Sequence, residues 1–301
     1  MITNEVKQRI VSAIADRRKN YGSDAKMSVA LGINSAQYSR VKNGDYDSVL
    51  SDAKWISIAR ILDVQLSDAP EWVTAKTTVY NYIYAQMDAC QNNNLSVMLC
   101  DMTDIGKTYT ARCYVKEHVN AVYIDCSQVK TRQKLIRAIA KEFGLGYTGR
   151  YDDVYADLVF YLRSIPQPFI ILDEFGDLKY NAFLEVKAIW NATEGACSWY
   201  GMGADGLRDK LMRNLEYKKV GYAEILSRFG IHDERVKTLQ QRFQKITPDG
   251  KDALEDFVRK QISQVAIANG VDDVQRIYAK TGGSLRRLRT EVMKLRISNS
   301  E

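Results

Sequence analysis

Residues 95–108 read LSVMLCDMTDIGKT, and the fold is decided by how this stretch is read. An apolar run with strand character, 95–100, passes into a short loop that closes on Gly106-Lys107-Thr108, and a helical pattern continues over 109–119. A strand, a loop ending in Gly-Lys-Thr and a helix make up the anatomy of a triphosphate-binding loop. At such a helix start the unpaired backbone N–H groups face the ligand, and the helix dipole favours its negative charge. Read this way, Asp101, Met102, Thr103, Asp104, Ile105, Gly106, Lys107, Thr108 and Tyr109 border a nucleotide. Lys107 stands against the β- and γ-phosphates of ATP, and the Thr108 hydroxyl meets Mg²⁺. Two positions depart from the usual pattern: Asp101 and Asp104 stand where glycines are favoured. Asp tolerates a positive φ better than most residues, but its charge is unfavourable beside a triphosphate. A chance Gly-Lys-Thr at an ordinary strand-to-helix turn is therefore the competing reading.

A second stretch decides between them. Residues 169–174, FIILDE, form a continuous apolar run ending in two carboxylates. A strand buried on both faces of a parallel sheet has this composition. Asp173, at its carboxyl end, is suited to hold the Mg²⁺ water shell, and Glu174 to polarise an attacking water as general base. The two stretches occur in the order and at the separation of a nucleoside-triphosphate-hydrolysing domain.

The bulk composition is compatible with this. A chain of 301 residues implies two or three domains. With 46% hydrophobic and 27% charged residues it falls in the ordinary soluble globular range. No apolar run reaches the length of a membrane span, so no membrane association is expected. The five cysteines (Cys90, Cys100, Cys113, Cys126, Cys197) show no Cys-x-x-Cys spacing and read as reduced, buried thiols of a cytoplasmic protein. Two histidines, His118 and His232, argue against a metal cage built from protein alone. A net charge of +6 is compatible with nucleic acid without demanding it.

Residues 1–70 read as a helix-rich unit, with Val6, Ile10, Val11 and Ile14 at helical spacing. Within it, 27–44 read as a short helix, a turn at Gly32, and a second helix capped by Ser35 and stopped at Asn43-Gly44, a helix-turn-helix pattern. It resembles the repressor-like family, in which Ala30, Gly32, Ile33 and Val41 would hold the two helices together. Ser35, Gln37, Tyr38, Arg40 and Lys42 would then face a DNA groove. The alternative is a protein-docking module, because Asp45, Asp47 and Asp52 offset the cations. Trp55, Ile58, Ile61 and Leu62 close this small core. A connecting helix occupies 71–93, an α/β nucleotide domain 94–248, and a helical lid 249–301.

Inside the nucleotide domain, strands over 121–124, 169–172 and 197–202 alternate with helices over 132–143, 151–164 and 183–190, which predicts a parallel, doubly wound sheet. The tip of the fourth strand, Gly203-Ala204, lacks the Thr or Asn that would sense a γ-phosphate, leaving Asp205 as a substitute. Arg228 and Arg242 are candidates to reach the nucleotide of a neighbouring subunit, the latter just before an edge strand over 244–246. Either is equally readable as a solvated helix residue. Past 250 the pattern is helical, with Leu254, Phe257, Val258, Ile262 and Val265 on one face. There Ser284 would cap a final helix whose first turn carries Arg286 toward the nucleotide.

On these motifs the chain resembles the AAA+ ATPases. More narrowly, it resembles the Mu transposition protein B type, related to the Tn7 C-protein and the TniB family. The resemblance implies an AAA+ P-loop domain with a parallel sheet and small helical lid, preceded by an all-α helix-turn-helix domain. It implies ATP and Mg²⁺ bound between subunits, assembly as a homo-oligomer or helical filament on double-stranded DNA, recruitment of a transposase, and disassembly on hydrolysis. It makes Lys130, Arg132 and Lys134, after the second strand, candidate contacts to the DNA backbone. A helicase loader and a nucleotide-switched DNA-binding regulator are the alternatives.

Overall fold

The computed structural model describes residues 2–66, 72–229 and 251–298. Helices begin where short polar side chains can accept from the first free amides. Thr3, Ser23, Asn34, Ser51 and Thr77 are such caps, for α1 (Asn4–Arg18), α2 (Asp24–Leu31), α3 (Ser35–Lys42), α4 (Asp52–Leu62) and α5 (Thr78–Asn93). Helices α1 to α4 enclose a core of their own, with Ile10, Met27, Val41, Trp55 and Ile58 at its centre. The α2–α3 turn runs through Gly32, left-handed at φ 66°. Three details correct the sequence reading. The cap of α3 is Asn34 rather than Ser35, because Asn34 and Gln37 exchange side-chain and backbone hydrogen bonds in a capping box. Tyr38, expected on the exposed face, is only 3% exposed, since it lies one turn before the buried Val41. Ile61 is 37% exposed, outside the stripe of Trp55, Ile58 and Leu62.

Next come β1 (Ser96–Cys100), α6 (Lys107–Glu117), β2 (Ala121–Asp125), α7 (Arg132–Glu142), α8 (Tyr151–Ser164), β3 (Phe169–Asp173), α9 (Tyr180–Ala192), β4 (Ser198–Gly203), α10 (Asp205–Glu216) and α11 (Tyr222–Arg228). The four strands are all parallel, in the order β1-β4-β3-β2. The expected edge strand over 244–246 lies outside the described residues. Strand alternation divides the apolar residues between two layers. Leu99, Phe169, Ile171, Tyr200 and Met202 pack under α5 and α6. Met98, Cys100, Ile170, Leu172 and Trp199 pack on the opposite side, against α7 to α11. Because both faces are covered, β3 is buried throughout. The register pairs Asp125 with Asp173 and Cys100 with Gly203, so the carboxyl ends of all four strands share one edge.

Helices α12 (Lys251–Ala268), α13 (Val274–Thr281) and α14 (Leu285–Ser298) form a third core around Ile262, Ala266, Ile277, Leu288 and Val292. Residues 72–77 join it to the sheet domain. Trp72 packs on this core, Val73 exchanges hydrogen bonds with the Asn269 side chain, and the Thr74 hydroxyl meets that of Tyr109 on α6 at 2.6 Å. The N-terminal helices dock on the sheet domain elsewhere. Asn20 donates to the carbonyls of Val115 (2.9 Å) and Lys116 (3.2 Å), and Lys26 stands over the Tyr161 ring at 4.0 Å. Gly144 sits at the tightest point: it has φ +71°, and a Cβ there would lie 2.4 Å from the Lys26 carbonyl oxygen.

Gly144→Ala should therefore lower unfolding free energy by about 1–3 kcal/mol, from left-handed strain and loss of this close approach. Gly22→Ala, where a Cβ meets nothing within 4 Å, should change it by less than about 0.5 kcal/mol. Urea titrations of the two variants would decide; equal effects would contradict the packing described.

Candidate nucleotide site

The loop leaving β1 turns through two positive-φ residues, Asp104 (66°) and Gly106 (100°). Asp101 is not among the positive-φ residues, so the backbone there makes no demand for glycine. Its carboxylate is turned in, with the residue 1% exposed and Oδ1 accepting from the Met102 amide at 2.7 Å. Helix α6 begins at Lys107, and no side chain caps its N-terminus. That start leaves N–H groups at the positive end of an eleven-residue helix open to an anion. Lys107 is 8% exposed and its Nζ donates to the carbonyls of Asp101 (2.9 Å) and Met102. Burial lowers its pKa, while the carboxylates of Asp101, Asp173 and Glu174 act in the opposite direction.

Asp173, at the end of β3, lies beside the first turn of α6. Thr108 Oγ1 donates to Asp173 Oδ2 at 2.7 Å, and so does the Tyr123 hydroxyl from β2, also at 2.7 Å. The Glu174 amide donates to Asp173 Oδ1 at 2.9 Å. Glu174 itself is left-handed at φ 49°, an uncommon conformation for a residue with a side chain. Its pKa is raised, first by partial burial and then by the charges of Asp173 and Asp177. Lys210 supports the turn that follows, donating to the carbonyls of Gly176 and Leu178. Burial lowers the Lys210 pKa in turn.

The structure thus brings together Lys107, Thr108, Asp173 and Glu174, from stretches about sixty-five residues apart. Tyr123 was not anticipated. Its parallel register with Ile171 places it on the same face as Asp173, two pairs earlier, a relation visible only once β2 and β3 are known to be neighbours. The polar group absent from the tip of β4 has a steric reason: a Cβ on Gly203 would lie 2.7 Å from Leu207 Cδ2. Asp205 is exposed at the start of α10. From the C-terminal unit, the Arg286 amide donates to Asp104 Oδ1 at 2.9 Å, which sets α14 against the loop, with Arg286 exposed.

The remaining candidates lie apart from this cluster. Arg228 donates to Asn191 Oδ1 and to the Glu224 carbonyl, each at 2.8 Å, and stacks over Trp190. Trp190 in turn donates to Ser96 Oγ, at the first residue of β1. Arg228 therefore belongs to the amino-terminal edge of the sheet, opposite the loop, and is no part of this chain's own site. Arg242 lies outside the described residues. Lys130 pairs with Asp177 at 2.9 Å, Arg132 lies over the Tyr151 ring at 4.7 Å, and Lys134 is exposed. On α3, Ser35 is exposed and Gln37 is half-buried, its side-chain amide donating to the Val49 carbonyl at 3.4 Å, while Arg40 pairs with Asp45 (2.7 Å) and Lys42 with Asp24 (2.9 Å). Among the described residues no group of three or more His, Cys, Asp or Glu could hold a metal by itself, and no helix is long and apolar enough to cross a membrane.

A parallel α/β sheet carrying a strand–loop–helix anion cradle at its carboxyl edge, with an Asp-Glu pair beside it, is a fold of the P-loop kind. Comparison with known proteins agrees: residues 76–211 match the model of the AAA domain family. No curated protein matches the chain. Among solved structures, the Aeropyrum pernix Orc1 protein in complex with DNA is similar, with 17% identity over 77% of this chain and 67% of that one and a TM-score of 0.42.

Tyr123→Phe removes one of two hydroxyl donors to Asp173 and should cost about 1–3 kcal/mol of stability, the range for a hydrogen bond to a charged group. Denaturant unfolding of the two proteins checks this. An unchanged midpoint would mean that Tyr123 does not hold the carboxylate.

Proposed function

We propose that the protein is an ATPase that assembles on duplex DNA with ATP bound, marks a target site there and recruits a transposase, with hydrolysis releasing the assembly. The observation that carries the nucleotide half is the Thr108–Asp173 contact at 2.7 Å beside the buried Lys107. It joins the two motifs that an ATP site requires. Thr108 and Asp173 are the residues suited to hold Mg²⁺. Held there with a nucleotide, the metal would supply neutralisation of phosphate charge, a role for which one or two protein ligands suffice. Uncapped α6 amides and Lys107 would seat the phosphates, and Glu174 would take the proton of the attacking water. Its raised pKa brings it closer to the working range of a general base than an ordinary carboxylate.

The assembly half is supported by where the arginine falls. Arg228 stands at the opposite edge of the sheet from the loop. It would meet a nucleotide only on another copy stacked head to tail, an arrangement that propagates as a ring or filament. Lys130, Arg132 and Lys134, with the face of α3, are the surfaces proposed for DNA. The Lys130 and Arg132 contacts, like those of Arg40 and Lys42, would have to open for phosphate contact.

Two measurements test this reading. Electron microscopy and co-sedimentation with duplex DNA should show assembly with ATP and none without nucleotide. Lys107→Ala should abolish it, and Glu174→Gln should keep assembly while lowering turnover about 10²–10⁴-fold. DNA coating that ignores nucleotide would overturn the proposal. Separately, binding should be linked to protons. Burial depresses the Lys107 pKa in the free chain, and a neighbouring polyanion raises it, so as the pH rises toward the depressed value the bound state holds more proton. Calorimetry in buffers of different ionisation enthalpy should register proton uptake there, and a buffer-independent enthalpy would contradict it.

A further inference from the structure

The second departure of the loop, Asp104, is explained by what its carboxylate touches. Oδ1 accepts from the Arg286 amide at 2.9 Å, and Oδ2 accepts from the Ser284 hydroxyl. Ser284 Oγ in turn accepts from the Arg287 amide at 3.1 Å. Of the unpaired amides that open α14, that of Arg286 is satisfied by a carboxylate 182 positions earlier in the chain, and that of Arg287 by the Ser284 hydroxyl, which the same carboxylate holds. A carboxylate is also the favoured charge at that end of a helix. The turn that delivers these groups is itself constrained. Gly282 and Gly283 are both left-handed, at φ +58° and +82°, and a Cβ on Gly283 would lie 2.7 Å from Val258 Cγ1. On the other side, Leu285 Cδ1 lies 3.8 Å from where a Gly106 Cβ would stand. The phosphate loop and the start of α14 are therefore joined through the Asp104 carboxylate, with the Leu285 side chain on the side of the loop where a Gly106 Cβ would stand.

We propose that Asp104 is a positioning residue rather than a nucleotide ligand: it latches the phosphate loop to α14, so that occupancy of the loop is transmitted to the C-terminal helical unit. The inference rests on the nucleotide reading of the loop. Two consequences follow from the geometry. The negative charge at a position that favours glycine is directed to a helix N-terminus and away from the phosphates. Ordering of residues 103–106 by a bound triphosphate also orders the first turn of α14, and by linkage any partner that fixes α14 tightens the loop's hold on nucleotide.

Asp104→Gly is the informative variant, because glycine adopts the φ of +66° without strain and so removes the carboxylate alone. Amide hydrogen exchange over residues 285–288 of the full chain, without nucleotide, should accelerate about fivefold in Asp104→Gly, as expected for loss of a helix cap. Ser284→Ala should act similarly, and the double variant should fall short of the product of the two, because both break one contact. In the wild type, adding a non-hydrolysable ATP analogue with Mg²⁺ should slow this exchange, and in Asp104→Gly it should not. If Asp104→Gly instead leaves α14 exchange unchanged and tightens analogue binding, the carboxylate is only a charge facing the phosphates and the latch is wrong. Strictly multiplicative effects of the two substitutions would also overturn it. The nucleotide-free arm makes no use of ATP, so the latch and the nucleotide reading fail separately. A wild type that binds no analogue sinks the second without touching the exchange difference.

Discussion

A hydrogen bond of 2.7 Å between the Thr108 hydroxyl and the Asp173 carboxylate holds the functional architecture together. It can form only if β1 and β3 end at the same edge of one parallel sheet and α6 starts there. Every layer of the fold serves that requirement. The apolar residues of β3 are buried on both sides, which forces helices onto both faces. Crossover connections then return every strand in the same direction. A carboxylate at the end of such a strand is left facing the start of a helix, with hydroxyl and amide donors around it.

The same edge gathers charges that a folded chain would otherwise avoid. Lys107 is buried against carbonyls with Asp101, Asp173 and Glu174 nearby. Glu174 is held in a left-handed conformation, and its carboxyl is harder to ionise than an isolated one. Buried charge and backbone strain concentrate at functional sites, where the surroundings over-determine an unfavourable local state. Here the supports are identifiable: Tyr123 and Thr108 on Asp173, Lys210 on the turn after Glu174, and α14 against the loop.

How much of this was legible in the sequence depended on the range of the interaction. The apolar run of residues 169–172 and the Gly-Lys-Thr turn are local signals, and strands and helices stand close to where those signals place them. Tyr38 differs from its expected exposed position because Tyr38 and Val41 are three apart and share the buried face of α3. The Asn34 cap was missed because Asn34 and Ser35 are adjacent and equally suited, and only the Gln37 side chain selects between them. Tyr123 and the Asp104 contacts were beyond reach for a different reason. They depend on which strands are neighbours and on where a helix far along the chain docks, and no spacing encodes either. Arg228 shows the same limit, because its residue type suggests a role but its location at the opposite edge depends on the hydrogen bond from the Trp190 indole to Ser96 Oγ, a contact between distant parts of the chain.

If Lys107 and Asp173 converge on one magnesium–triphosphate ligand, the most direct measurement is an equilibrium titration of the full chain with a fluorescent ATP analogue, in Mg²⁺ and in chelator. The expected result is saturable binding in Mg²⁺ that weakens by about tenfold or more when the metal is removed, because Thr108 and Asp173 then lose the ion that links them to the phosphates. Binding that is absent in both conditions, or equally tight in both, would contradict the convergence of the two motifs on a shared ligand.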